Sequence, residues 1–193
     1  MLIETAAGRT LAVSSVGDPA GRPVLVHIGT PNSRHLYGRT VADATARGLR
    51  LISYDRPGYG ESTPHPGRVM ADCAADVRAI CAALGIGRLA SWGLSGGGPH
   101  ALACAALLPD LVTAVASLAS PAPYDADGLD WMAGFSPGAA SSESAGFSPR
   151  ASAAACCPSK LAIATPAPLY PRQKVVVASL RPTCGSELNV MPT

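Results

Sequence analysis

Short, largely apolar runs punctuate the first two thirds of the chain at regular intervals. Val24–Ile28 lies between Pro23 and Gly29, and Leu49–Tyr54, Leu89–Trp92 and Val112–Leu118 follow it; Thr10–Ser14 is a shorter candidate upstream. These runs are continuous rather than alternating. That pattern predicts strands of a sheet covered on both faces, because an open face would demand a polar residue at every second position. Between the second and third runs, Val69, Cys73, Val77, Ile80, Cys81 and Leu84 recur at helical spacing. Gly85 stands where a helix C-terminal glycine belongs. A further helix is predicted over Gly97–Leu108, ended by Pro109. Strands alternating with helices in this way predict an α/β architecture, doubly wound around a mostly parallel sheet.

The pattern fades near residue 133. Residues 1–132 hold ten arginines and no lysine or phenylalanine, whereas both lysines, both phenylalanines and eight of the eighteen prolines lie in 133–193. Segments such as Ser136-Pro137-Gly138-Ala139-Ala140-Ser141-Ser142 carry neither period and read as loop. The expected organisation is therefore a core over 1–132 and an irregular tail over 133–193, with one candidate strand at Lys174–Leu180. The shift after Met132 predicts an interrupted reading frame or a recombined gene end. The other bulk properties narrow the function classes. A net charge of +2 without a basic cluster calls for neither nucleic acid nor an anionic membrane. No apolar run approaches a membrane span, and Met1-Leu2-Ile3-Glu4 does not open a secretory signal. Six cysteines at 73, 81, 104, 156, 157 and 184 form no CxxC pair. Buried free thiols in a cytoplasmic protein are expected, with neither metal nor cofactor.

The chemistry concentrates in Gly93-Leu94-Ser95-Gly96-Gly97, which follows the Leu89–Trp92 strand and opens the next helix. A strand, a sharp turn and a helix in immediate succession place a serine in strained backbone, with its hydroxyl at the top of the sheet. Gly93, Gly96 and Gly97 remove the side chains that would collide with neighbouring elements. The helix N-terminus behind Ser95 points N–H groups toward a developing oxyanion. A phosphate-binding glycine loop is the rival reading; it lacks the required lysine, and Pro99 follows instead. A second segment, His27-Ile28-Gly29-Thr30-Pro31, leaves the end of the Val24–Ile28 strand. It reads either as a β-turn around Pro31-Asn32 or as the source of a second N–H donor, the Thr30 amide. The Pro- and Gly-rich stretch Asp55–Ser62 reads as a rigid loop, with Asp55 and Arg56 in structural ion-pair and hydrogen-bond roles beneath the site.

Together these segments resemble the α/β-hydrolase superfamily, and most closely its proline-iminopeptidase-like and small-ester hydrolase branches. The resemblance covers Val24–Pro31, Leu51–Ser62 and Ala90–His100, and runs on to about Trp131. It implies Ser95 as nucleophile and the amides of Thr30 and Gly96 as oxyanion donors for small carboxylic esters or amides. Epoxide hydrolases and haloalkane dehalogenases of the same fold use an aspartate in place of Ser95. The family order of nucleophile, acid and histidine is not completed. Asp125 is the acid candidate, with Asp127 and Asp130 beside it, but no histidine follows His100. His100 sits five residues past Ser95 on the same helix and reads as a packing or surface residue, and His27 as structural. His35 and His65 lie on loops able to approach the site. The sheet is expected to be incomplete at its C-terminal edge and activity to be weak or absent. The alternatives are a non-catalytic hydrolase-like binding protein and an unfolded gene remnant.

Overall fold

The computed structural model describes residues 1–121, Gly128 and the backbone of 174–178. Seven strands form one sheet: β1 (Leu2–Glu4), β2 (Thr10–Gly17), β3 (Arg22–His27), β4 (Leu49–Tyr54), β5 (Leu89–Leu94), β6 (Val112–Leu118) and β7 (Lys174–Ala178). Their spatial order is β1-β2-β4-β3-β5-β6-β7. The first two strands run antiparallel to their neighbours, and all later pairings are parallel. The doubly wound, mostly parallel α/β sheet expected from the apolar runs is thus the observed fold.

Helix α1 (Gly38–Ala46) packs on one face, against β2 and β4; α2 (Cys73–Ala83) and α3 (Gly98–Leu107) cover the other. Consecutive strand residues therefore both find cover. Leu25 and Ile52 enter the larger core with Val77, Ile80, Cys104 and Val112, while Val26 and Leu51 meet Ala44 on the α1 side. This two-sided burial is why β3 and β4 read as continuous apolar runs.

The structure departs from the sequence pattern at element ends. The stretch expected as one helix from Val69 opens with a 3-10 turn, Met70–Asp72, before α2 begins. The Asp72 carboxylate accepts the Val69 N–H at 2.7 Å, which tightens that first turn. Strand β2 runs to Gly17, three residues beyond the predicted Ser14, because Ser15, Val16 and Gly17 pair with Ile52, Leu51 and Arg50. The candidate strand at Lys174–Leu180 is β7, and it pairs with β6 from Ala114↔Lys174 to Leu118↔Ala178. The predicted boundary at 132/133 and the remainder of the tail lie outside the described residues.

Candidate active site

Strand register decides which segments meet at the carboxyl edge of the sheet. His27 of β3 pairs with Gly93 of β5, so the chain leaves both strands at the same level. After β5 it turns through a 3-10 segment, Ser95–Gly97, into α3. Ser95 has φ +49°, in the left-handed region that costs a side-chain-bearing residue on the order of 1–2 kcal/mol. Packing holds it there. A Cβ on Gly97 would stand 2.0 Å from the His27 carbonyl oxygen, and one on Gly93 would stand 2.3 Å from the Gly97 oxygen. A side chain at either position would collide with main chain. The Ser95 side chain faces solvent.

The loop after β3 closes over this turn. A Cβ on Gly29 would lie 3.3 Å from Ser95 Cβ and 3.8 Å from Ser95 Oγ, so position 29 stands directly against the Ser95 side chain. A Cβ on Gly96 would lie 3.4 Å from the Thr30 nitrogen and 2.6 Å from Thr30 Oγ1. The structure therefore brings Ser95, Gly96 and Thr30 together. The Asn32 N–H also donates to the Gly29 carbonyl at 3.0 Å, and the Thr30–Pro31 peptide is cis. That hydrogen bond closes a turn over Gly29–Asn32, one residue earlier than the turn around Pro31-Asn32, and the same loop lies against the Ser95 turn.

Arg56, on the loop after β4, ties the two segments from beneath. Its Nη1 donates to the Ile28 carbonyl at 2.9 Å and approaches the Gly96 carbonyl at 3.5 Å; its Nη2 donates to Thr30 Oγ1 at 3.0 Å. The guanidinium also lies 5.4 Å from the Tyr59 ring centroid. Asp55 has a separate assignment. Its buried carboxylate accepts the Arg34 N–H at 2.6 Å, the Arg34 guanidinium and the Glu61 N–H at 3.3 Å. Sequence reasoning gave the pair a shared supporting role, yet of the two it is Arg56 whose hydrogen bonds reach the Ser95–Gly97 turn. It missed Arg34, which also pairs with Glu61, and Gly29, whose signal was its place between strand end and Thr30.

The histidines do not complete a triad among the described residues. His27 and His100 are both buried, with ring centroids 6.0 Å apart and a 23° interplanar angle. His100 Nδ1 lies 3.1 Å from the Gly96 carbonyl oxygen, its partner one helical turn back. Its Nε2 and both ring nitrogens of His27 have no protein partner among the described residues. Burial holds the His27 pKa well below its ordinary value, and the nearby His100 and Arg56 push it the same way. Burial also brings His100 down to about 3, with Arg56 adding to the fall and the Gly96 carbonyl opposing it. Both rings are neutral packing residues at physiological pH. His35 is exposed, and no hydrogen bond joins it or His65 to Ser95. Asp125, Asp127 and Asp130 lie outside the described residues. Among the described residues no cluster of three His, Cys, Asp or Glu side chains offers a metal site, and no helix is long and apolar enough to cross a membrane.

The family model for the alpha/beta hydrolase fold matches residues 22–139. The chain belongs to the α/β-hydrolase fold family. This hydrolase-fold chain is similar to a thermophilic esterase from Thermogutta terrifontis with malate bound, at 31% identity and TM-score 0.57, over 66% of this chain and 47% of the esterase. It is also similar to an epoxide hydrolase from an endophytic Streptomyces, at 32% identity and TM-score 0.56, over 64% and 38% of the two chains. An enol-lactonase from Burkholderia xenovorans shares the fold, at 22% identity and TM-score 0.57, over 63% and 47%. The chain thus spans about half the length of these solved relatives, or less. No curated protein matches it.

Proposed function

We propose that this chain is a serine-type member of the family, acting on small carboxylic esters or amides through an acyl-enzyme on Ser95. One observation carries the reading: Ser95 is held at φ +49° on a strand-turn-helix junction, with Gly96 packed against the Thr30 amide. In the proposed mechanism Ser95 Oγ attacks the substrate carbonyl carbon. The carbonyl oxygen takes up the negative charge and accepts hydrogen bonds from the Thr30 and Gly96 N–H groups, aided by the α3 N-terminus. Collapse expels the alcohol or amine, which takes a proton, and water then releases the acid from Ser95. The esterase relative supports an ester substrate. A serine at position 95, where the resemblance gives epoxide hydrolases an aspartate, supports the same class.

The step without a named residue is proton removal from Ser95, since His27 and His100 are buried and engaged in packing. That observation favours, as a second reading, a hydrolase-like protein that binds a small molecule at the same edge without turning it over. It also sets the rate expected from the first. Triads stripped of a member retain about 10³–10⁴-fold acceleration over water, through binding and the oxyanion hole. Slow hydrolysis of p-nitrophenyl acetate, together with labelling of Ser95 by a fluorophosphonate probe, is therefore expected. Binding of small esters with neither signal selects the second reading, and turnover on the order of 10 s⁻¹ reveals an unassigned base. Three buried free thiols, Cys73, Cys81 and Cys104, support a cytoplasmic setting. The proposed partner is a small-molecule substrate rather than a nucleic acid or membrane.

A further inference from the structure

We propose that Arg56 is the positioning residue of the oxyanion pair, acting by the geometry of its fork rather than by its charge; this inference rests on the Ser95 reading. The two proposed donors, Thr30 N–H and Gly96 N–H, belong to segments 66 residues apart in sequence that leave different strands. Nothing covalent sets their separation. Yet a pair of donors serves one oxygen only if both lie within hydrogen-bond range of the same point. Arg56 supplies the missing constraint. One nitrogen, Nη1, reaches carbonyls of both segments, Ile28 at 2.9 Å and Gly96 at 3.5 Å, while Nη2 holds Thr30 Oγ1 at 3.0 Å. The planar guanidinium fixes these directions relative to one another, which an ammonium on a flexible stem does not do.

The placement of Arg56 suits that task. The side chain is buried, and it leaves a loop anchored on both sides of position 56. Asp55 is bonded to the Arg34 backbone and to the Glu61 N–H, and the Ser62 hydroxyl donates to the Asp55 carbonyl at 2.6 Å. The Ser62 hydroxyl also accepts the Ala12 N–H of β2 at 2.9 Å. The fork is thus carried by an anchored loop, as positioning at sub-ångström tolerance requires. The donors are main-chain groups, and the Arg56 hydrogen bonds described go to the two loops, so its effect passes through them.

The test uses the full chain with Arg56→Lys, Arg56→Gln and, as a surface control, Arg78→Gln. The kcat and KM for p-nitrophenyl acetate are measured alongside the backbone amide chemical shifts of Thr30 and Gly96 in the unliganded protein. A misplacement near 1 Å costs about 10²-fold, so kcat should fall about 10- to 100-fold in both Arg56 variants, with KM changed less than about threefold. The Thr30 and Gly96 amide signals should shift in both variants and stay in place in Arg78→Gln. Restoration of the wild-type rate by lysine would overturn the geometric role in favour of simple charge. Wild-type kcat and unmoved amide signals in Arg56→Gln would overturn the proposal altogether. A background rate that Ser95→Ala leaves intact sinks the Ser95 reading instead, and the amide signals alone then decide whether Arg56 holds the two loops. A variant that does not fold is replaced by Thr30→Val, which removes the Oγ1 hydroxyl that Arg56 holds and should move the Thr30 and Gly96 signals; unmoved signals there count against the clamp.

Discussion

Lowering the pH from 8 to 5 should destabilise this fold steeply, and the stacked pair of His27 and His100 should account for most of the loss. Each ring is neutral in the folded protein, because burial penalises the charged form and Arg56 repels it. In the unfolded chain each titrates near 6.5. The unfolded state therefore binds more protons below pH 6.5, and stability falls as pH falls from there toward the folded value, about 3 for His100. At pH 5 the deficit is about 1.5 pH units per ring, or about 2 kcal/mol each at ~1.36 kcal/mol per unit. Both rings together give about 4 kcal/mol, a large share of the 5–15 kcal/mol typical of a whole domain. Depressed carboxylates such as Asp110, lowered by Arg78, lose their contribution only below the ordinary aspartate range, so they stay out of this window. Urea unfolding followed by circular dichroism at pH 5, 5.5, 6, 7 and 8 reads the effect. Well below 6.5 the slope should approach two protons, about 2.7 kcal/mol per pH unit. His100→Phe should halve that slope, whatever it does to stability at pH 8, where loss of the bond to Gly96 costs about 1 kcal/mol. Equal stability at pH 5 and 7, or one slope shared by both proteins, would refute the reasoning.

Other substitutions separate strain, packing and chemistry. Ser95→Ala should abolish fluorophosphonate labelling and any esterase activity while leaving the melting midpoint within about 2 °C, since an exposed hydroxyl is all that is lost. Ser95→Gly should melt above Ser95→Ala, because glycine accepts the φ of +49° without cost; the gain is on the order of 1 kcal/mol, as relief of strain outweighs extra unfolded-state freedom. Gly97→Ala should lower the midpoint by more than about 5 °C, consistent with an overpacking cost of a few kcal/mol, because its Cβ would meet the fixed His27 carbonyl. Gly87→Ala, with open space around the new methyl, should be close to neutral by differential scanning calorimetry. Cys73, Cys81 and Cys104 should resist iodoacetamide in the native protein and react on unfolding, as peptide mass spectrometry can show. All three thiols are buried; burial pushes Cys81 up to about 11, and the hydrogen-bonding contact with Cys73, joined by burial, holds Cys104 well above its ordinary value.

How much could be read from the chain depended on whether the signal was local. Leu49–Tyr54 and Val112–Leu118 are strands at the bounds their apolar runs predict, because two-sided burial leaves a continuous imprint. Helix α1 left little imprint. Ala44 is its one buried residue, and Tyr37 at its start provides no side-chain cap, so Gly38–Ala46 carries no N-terminal signal and few large apolar residues to mark its buried face. Strand β1 has three residues and pairs only with β2 in this sheet, too short for any period. The turn at Ser95 was legible because strand, turn and helix adjoin in sequence. The reach of Arg56 to Ile28, Thr30 and Gly96 was not, because it depends on β3 standing between β4 and β5. The same is true of His100: its place on the helix read as packing or surface, and the ring it stacks on comes from β3, far away in sequence.

The contact between Gly97 and the His27 carbonyl has a consequence for protein engineering. The turn that bends Ser95 into its left-handed conformation is shaped by a neighbour from outside its own segment, 70 residues earlier in the chain. Residues 89–107, excised as a peptide or grafted between a strand and a helix elsewhere, would carry the glycines but not the carbonyl they accommodate. The smallest transferable unit is therefore two parallel strands in fixed register, His27 beside Gly93, with both of the loops that leave them. A designer copying the five-residue motif alone would copy its spelling without the surface against which it is pressed.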